Sequence, residues 1–413
     1  MRIVNIDSRP LIFESYVILE FEQSVTSTFH WIYLRDNCTC SCCLYPDTAQ
    51  RCLDTFNELP WDIDPYDDRT SETAKSLAEF KITDDGDLEI KWPDSHMSVF
   101  SPEWLVNHSY DPPVPAKAVA LALPDKVHWD KALFDELTGS GDHFNTDFND
   151  LEHSLTDVLL EIYRYGFTFI KNVPVSIEAT EHVSKLISII RPSHYDTGVW
   201  QFTSDLAKKD TAYTTLSIDM HTDGNYWYEL PGLQLFHLLE HSNGEGGHTR
   251  IVDVAKVVDK LRDLAATDKS WETTYKVLTQ HKLGFHQSGE TNCIFYQEAY
   301  PTLTLSQNGE LQQCRWNTSD RAPQIVSRDF TVPQIYEALF RFNSLINDPK
   351  NSVTFQLSPG TILVFDNWRV LHARTAFTGR RRLCGSYLTR DDFIARLRAL
   401  LFKRDQILNV SYA

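Results

Sequence analysis

No apolar run in the chain approaches the roughly 18–20 residues needed to cross a bilayer, which excludes a helical membrane span. The N-terminus also lacks the long apolar stretch of a secretory signal, because Asp7, Glu14, Glu20 and Glu22 interrupt it. Transit peptides are poor in acids, so the same residues argue against a mitochondrial leader. The expectation is a cytosolic protein with no membrane partner, and the mitochondrion is the alternative. Positive charge is in short supply: 39 Lys and Arg stand against 57 Asp and Glu, a formal net charge of −18. A field of that sign repels phosphate backbones and removes nucleic acid as a general partner, while it mildly favours cationic small molecules. Internal repeats and low-complexity tracts are missing as well. What remains is 413 residues, 42% hydrophobic and 23% charged, enough for a sizeable core and two domains.

Of the eight cysteines, five fall between Cys38 and Cys52. Without a secretory signal, such clustering points to a metal rather than to disulfides. The loop Cys38-Thr-Cys40-Ser-Cys42-Cys43 can supply three ligands to a tetrahedral zinc. The fourth must come from elsewhere, and His96, after Trp92-Pro93-Asp94, is a candidate; Cys42 and Cys52 compete for the same places. A zinc closed by four protein ligands is structural, since no position is left for substrate. Cys293, Cys314 and Cys384 are scattered and read as buried small hydrophobes.

The first hundred residues read as mostly β, with strands over Ser15–Leu19, Phe29–Leu34 and Leu88–Trp92 and a turn at Asp84-Asp85-Gly86. Asp111-Pro112-Pro113-Val114-Pro115 breaks any regular element and marks a boundary, giving domains over 1–115 and 116–413. Beyond it, helices are predicted over 151–162, 178–190, 334–346 and 391–401, with Gly166 as a C-cap. Strands are predicted over 167–173, 233–239, 249–252 and 361–365. Many short strands with few helices outside them suggest a jelly-roll sandwich or barrel.

His221-Thr222-Asp223 places a histidine and a carboxylate two apart, pointing the same way from a strand edge. Joined by His372, they form the facial set that leaves iron with open positions for a cosubstrate and oxygen. Two other His-x-Asp triplets, at His128 and His194, compete; the third is favoured because it precedes the strand-rich region. Nine residues after His372 comes Arg381, inside Arg380-Arg381-Arg382. A dicarboxylate cosubstrate needs a fixed cation for its far end, and guanidinium provides a bidentate fork. Trp200, Tyr213, Tyr226, Trp227, Tyr228 and Tyr387 lie near these segments, and aromatic rings can hold a quaternary ammonium.

With these motifs in view, the sequence resembles the γ-butyrobetaine and trimethyllysine dioxygenases, the iron(II) and 2-oxoglutarate oxygenases of carnitine biosynthesis. The resemblance runs from Trp31-Ile-Tyr-Leu-Arg-Asp-Asn-Cys38 to the C-terminal helix. It implies a mainly β fold with flanking helices: a double-stranded β-helix oxygenase domain preceded by a small β-rich zinc-binding domain. It places zinc on Cys38, Cys40, Cys43 and His96, and iron on His221, Asp223 and His372. Arg381 and Thr249 would hold 2-oxoglutarate, and Trp200, Tyr213 and Tyr387 the ammonium, with Tyr195 the nearest further cage tyrosine and Asn317 a polar contact. Asp366-Asn-Trp-Arg-Val-Leu-His372 and Tyr387-Leu-Thr-Arg-Asp-Asp392 look like the trimethyllysine branch. So does Gly224, where γ-butyrobetaine enzymes typically place a tyrosine. The implied reaction is hydroxylation of trimethyllysine at C3, with γ-butyrobetaine hydroxylation as the alternative, ascorbate as reductant and a homodimer as the assembly.

Overall fold

Along Tyr16–Phe21 every second side chain, Val17, Leu19 and Phe21, is withdrawn from solvent, the period-2 pattern of a strand with one buried face. The computed structural model describes residues 1–9, 15–58, 78–92, 94–114, 123–141, 143–194, 196–202, 214–289, 294–323 and 327–403. Tyr195, Tyr213 and Cys293 lie outside the described residues. The chain divides into two compact units, one containing Met1–Leu123 and the other Pro124–Leu401.

The first unit holds two three-stranded antiparallel sheets, Ile3–Arg9, Tyr16–Phe21 and Val25–His30, then Glu79–Ile82, Leu88–Lys91 and Met97–Phe100. Val17, Phe21, Phe29, Trp31, Leu88 and Ile90 are among the residues of its core. The strand expected over Phe29–Leu34 ends at His30, and Trp31–Asp36 is a helix. Trp31, Leu34 and Arg35 are its buried residues, and the i, i+3, i+4 spacing buries all three on one helical face, where a strand would split them between two. That helix leads directly into Cys38.

The second unit is a double-stranded β-helix with helices outside it. Its larger sheet has six strands, in the order Trp200–Phe202, Arg380–Leu388, Leu233–Ser242, Ile362–Asp366, Phe167–Lys171 and Thr146–Asp147. The smaller has four: Ile218–His221, Val370–Arg374, Thr249–Asp253 and Ser352–Phe355. Leu363 and Phe365 of one sheet meet Ile251 and Val353 of the other in a shared core. Gly166 takes a left-handed φ of 80° to end the helix Leu155–Tyr165, which lets Phe167 enter the large sheet at once. Cys314 and Cys384 are buried.

Helices are more numerous than the expectation, which lacked Lys131–Gly139, Val254–Thr267 and Lys269–Gln280. Val254, Val257, Val258 and Leu261 do keep helical spacing, but a β-branched run beside a strand reads locally as more strand. Asp253 decides the matter by accepting a hydrogen bond from the Ala255 N–H as N-cap.

Asp253 is wholly buried and also pairs with Arg369, whose Nη2 lies 2.6 Å from its Oδ2. Arg369 donates further to the carbonyls of Arg164 and Val127, so each charge in this dry spot is paired and hydrogen-bonded. The pair ties the end of one strand of the small sheet to the turn that leads into Val370–Arg374. Arg369→Ala should lower unfolding free energy by about 3–5 kcal/mol, because it strands the Asp253 carboxylate. Urea denaturation checks this, and a loss below about 1 kcal/mol would contradict it.

Candidate active site

In the small sheet His221 ends the strand Ile218–His221 and faces His372 across the ladder. The chain then turns, and Asp223 comes back toward both imidazoles. One ligand atom from each of the three lies within 4.8 Å of the others. His221 Nε2 is 3.2 Å from Asp223 Oδ1, and His372 Nε2 is 4.0 Å from Oδ2. His221 Nδ1 lies 2.8 Å from the Asp219 carbonyl. A carbonyl only accepts, so Nδ1 carries a proton, and Nε2 is the nitrogen that faces Asp223 and that a metal would take in place of the proton shared with the carboxylate. Burial, reinforced by His221 beside it, pushes the His372 pKa down to about 3, which keeps that ring neutral as a ligand must be. Burial opposes ionisation of Asp223, yet its hydrogen bond from His221 and the nearby imidazoles hold its carboxyl well below the usual range. Burial works against the charged form of His221, but Asp223 beside it raises its pKa above the ordinary value. Two imidazole nitrogens and one carboxylate at this spacing suit iron(II) with open positions.

Three residues hold Asp223 in place: Asn367 and Gln234, which the sequence did not mark, and Tyr387, expected only as a substrate contact. Asn367 accepts from its backbone N–H at 2.9 Å and donates to its carbonyl at 3.1 Å. Gln234 and Tyr387 both donate to Oδ2, at 2.5 and 2.9 Å. Asn367 and Gln234 carry no local signal, since Asn367 is 144 positions from Asp223 in the chain.

The cavity beside the triad is lined by His221, Asp223, His372, Arg374 and Arg381, among others. Alternation along Arg380–Leu388 separates the three arginines. Arg380 is exposed and pairs with Glu240, whereas Arg381 is only 7% exposed. Arg381 Nε is buried with no hydrogen-bond partner among the described residues. Burial, with Arg374 nearby, pushes its pKa down to about 10, so it remains charged at neutral pH. Gly247 makes room for it: a Cβ there would lie 3.2 Å from Arg381 Cδ. A buried guanidinium with an unmet N–H, opening on a cavity, fits a carboxylate ligand. Thr249 lines the same cavity and is paired in register with Arg374.

The aromatic residues fall into two groups. Tyr387, Tyr226, Phe202 and Phe236 line the cavity. Trp200, expected on its wall, is not among the lining residues; it is 2% exposed and packs against Tyr387 at 5.6 Å between centroids. Gly385 explains the placement, because a Cβ at that position would come within 2.4 Å of the Trp200 ring. Asn317 lines the cavity and donates to Asp320 at 2.8 Å. The competing triplets do other work: His128 pairs with Asp259 at 2.7 Å, and the His194 ring packs among Tyr226, Trp227 and Phe295.

In the other unit, Cys38, Cys40, Cys43 and His96 converge, with ligand atoms within 4.8 Å of one another. The three sulfurs lie 3.3, 3.6 and 3.5 Å from His96 Nε2. Zn–S bonds of about 2.3 Å and Zn–N bonds of about 2.0–2.1 Å at tetrahedral angles put such pairs about 3.6 Å apart. The cluster therefore has the size of a zinc site. Cys42 and Cys52 are exposed and outside it. Buried Arg35 lies 3.5 Å from Cys43 Sγ and 3.0 Å from Asp94, which accepts from the His96 N–H. A cation beside clustered thiolates offsets their mutual repulsion. Extensively dialysed protein should retain about one zinc per chain by metal analysis. Cys40→Ser should lose it, while Cys42→Ser and Cys52→Ser keep it; zinc retained by Cys40→Ser would contradict the assignment.

Comparison with known proteins gives a consistent picture. Residues 134–387 match the taurine catabolism dioxygenase TauD, TfdA family, and residues 14–106 match the gamma-butyrobetaine hydroxylase-like N-terminal family. The chain is 39% identical to a trimethyllysine dioxygenase of Meyerozyma guilliermondii, over 95% of each protein. It is 32% identical to the Homo sapiens protein named trimethyllysine dioxygenase, mitochondrial, over 94% of this chain and 86% of that one. A gamma-butyrobetaine dioxygenase of a Pseudomonas species is 30% identical over 94% of each.

Proposed function

Because the chain belongs to the TauD, TfdA dioxygenases and, within them, to the trimethyllysine and γ-butyrobetaine dioxygenases, we propose that it hydroxylates N6-trimethyllysine at C3. One oxygen atom of O2 enters the C–H bond, and the other enters succinate as 2-oxoglutarate loses carbon dioxide. Iron(II) and 2-oxoglutarate, when bound, supply the oxidising power for that exchange. The protein's own part is to hold and aim. His221, Asp223 and His372 offer one face of ligands, and Asn367, Gln234 and Tyr387 keep the carboxylate turned toward them. Arg381, with Thr249 beside the same cavity, is suited to the far carboxylate of 2-oxoglutarate. The observation that carries this reading is the meeting in one cavity of the triad and buried Arg381, whose Nε has no hydrogen-bond partner among the described residues.

Gly224 favours trimethyllysine over γ-butyrobetaine. Its φ is +74°, and a Cβ there would lie 2.6 Å from the Trp227 ring and 2.9 Å from Pro231. No tyrosine could occupy that position without moving both. Tyr387, on the cavity wall, is suited to the trimethylammonium group, with Trp200 supporting its ring from behind and Tyr213 and Tyr195 as further candidates. Structural zinc in the Cys38 cluster, ascorbate to keep iron reduced, a homodimer and a cytosolic location complete the reading. Among the described residues no helix is long and apolar enough to cross a membrane.

The test offers trimethyllysine and γ-butyrobetaine together to the protein with iron(II), ascorbate, oxygen and 2-oxoglutarate. Mass spectrometry should find the added oxygen atom mainly on trimethyllysine, and His221→Ala should form no product. Oxygen found mainly on γ-butyrobetaine would move the chain to the other branch.

A further inference from the structure

We propose that Asp320 selects for an α-amino acid, its carboxylate receiving the α-ammonium of the substrate. The inference rests on the trimethyllysine reading and deepens it.

Asp320 lines the iron cavity together with Asn317 and Ser319. Its position is set from two directions. Within the turn, Asn317 Oδ1 accepts from the backbone N–H of Ser319 at 2.9 Å and of Asp320 at 3.3 Å. Asn317 Nδ2 donates to Asp320 Oδ2 at 2.8 Å. Outside it, the His286 N–H donates to the Asp320 carbonyl at 2.8 Å, and the Ala322 N–H donates to the Gly284 carbonyl at 2.8 Å. These two bonds flank Arg321, which bridges Phe285, and fasten the chain to the strand Lys282–Gln287 immediately after Asp320. Such bracing fixes a side chain before the ligand arrives, which lowers the ordering cost of binding.

The charges of the cavity then sort by task. Arg381 and Arg374 are its cations, suited to carboxylates, and Asp223 is committed to the triad. Asp320 is the remaining carboxylate among the described lining residues. A trimethylammonium group has no N–H to give it, but an α-ammonium has three donors. γ-Butyrobetaine carries no such group, and bringing its methylenes against Asp320 would desolvate a carboxylate without compensation. Asn317 accordingly acts as a positioning residue: its Oδ1 and an N–H are occupied in holding Asp320, rather than offered to substrate.

The test compares trimethyllysine with its des-α-amino analogue, which has the same chain length and the same ammonium. The wild-type protein should prefer trimethyllysine in kcat/KM. Asp320→Asn, which can still accept from Asn317, should reduce that preference by about 10- to 100-fold, the usual worth of a hydrogen bond between charged groups. The change should fall mainly on KM for trimethyllysine, and uncoupled turnover of 2-oxoglutarate without substrate reports that the metal site is intact. If Asp320→Asn does not fold, Asp320→Ser serves in its place. A wild type that turns over both compounds equally, or a variant with the wild-type preference, overturns the assignment to Asp320 alone. A wild type that hydroxylates neither compound overturns the trimethyllysine reading, and this inference with it.

Discussion

The constraint on which the site depends is the pairing of two strands in the small sheet, which sets His221 opposite His372. Side chains opposite each other on one face of a ladder meet without further adjustment. Only the third ligand then has to be brought in, and a short turn carrying Asp223 does so. The backbone of that turn is held by Asn367, on the connection between Ile362–Asp366 and Val370–Arg374. One crossover between the two sheets therefore supplies His372 directly and fixes Asp223 through Asn367. Arg369, two residues beyond Asn367, anchors the same connection to buried Asp253. Ligand geometry and core stability share this short stretch of chain.

Much of this was legible in the sequence, for identifiable reasons. The His221-Thr222-Asp223 spacing can be read without knowing the fold, although the strand ends at His221 and a turn, rather than alternation along a strand, brings Asp223 back. Arg381 was marked by its place nine residues after His372, and the strand Arg380–Leu388 then turns it inward while Arg380 faces solvent. The thiol cluster could be read because its three cysteines lie in one loop, and His96 because it is the histidine after a turn signal. The resemblance to the family then supplied what spacing alone left open, including the choice among five cysteines.

What was not legible depends on contacts that have no local trace. Gln234 reaches Asp223 from a strand and Asn367 from a turn far along the chain, and nothing near either residue marks it as a partner of Asp223. Trp200 was expected on the cavity wall, and its placement behind Tyr387 follows from Gly385, a residue almost two hundred positions away in the chain that leaves the slot the indole fills. The helix at Trp31–Asp36 was hidden by its aromatic and β-branched residues, and its identity depends on which face the first unit buries. Local propensity proposed a strand there, and tertiary packing decided otherwise.

The central claim is that His221, Asp223 and His372 hold iron(II) while Arg381 holds the far carboxylate of 2-oxoglutarate at the same centre. Anaerobic titration of the iron(II)-loaded protein with 2-oxoglutarate, followed by visible absorption, tests it most directly, because chelation by a 2-oxo acid gives iron(II) a metal-to-ligand charge-transfer band. The account predicts that band in the wild-type protein, its loss in His372→Ala, and saturation at about 10- to 100-fold higher 2-oxoglutarate in Arg381→Met. A wild-type protein that shows no band, or an Arg381→Met variant that saturates as the wild type does, would contradict it.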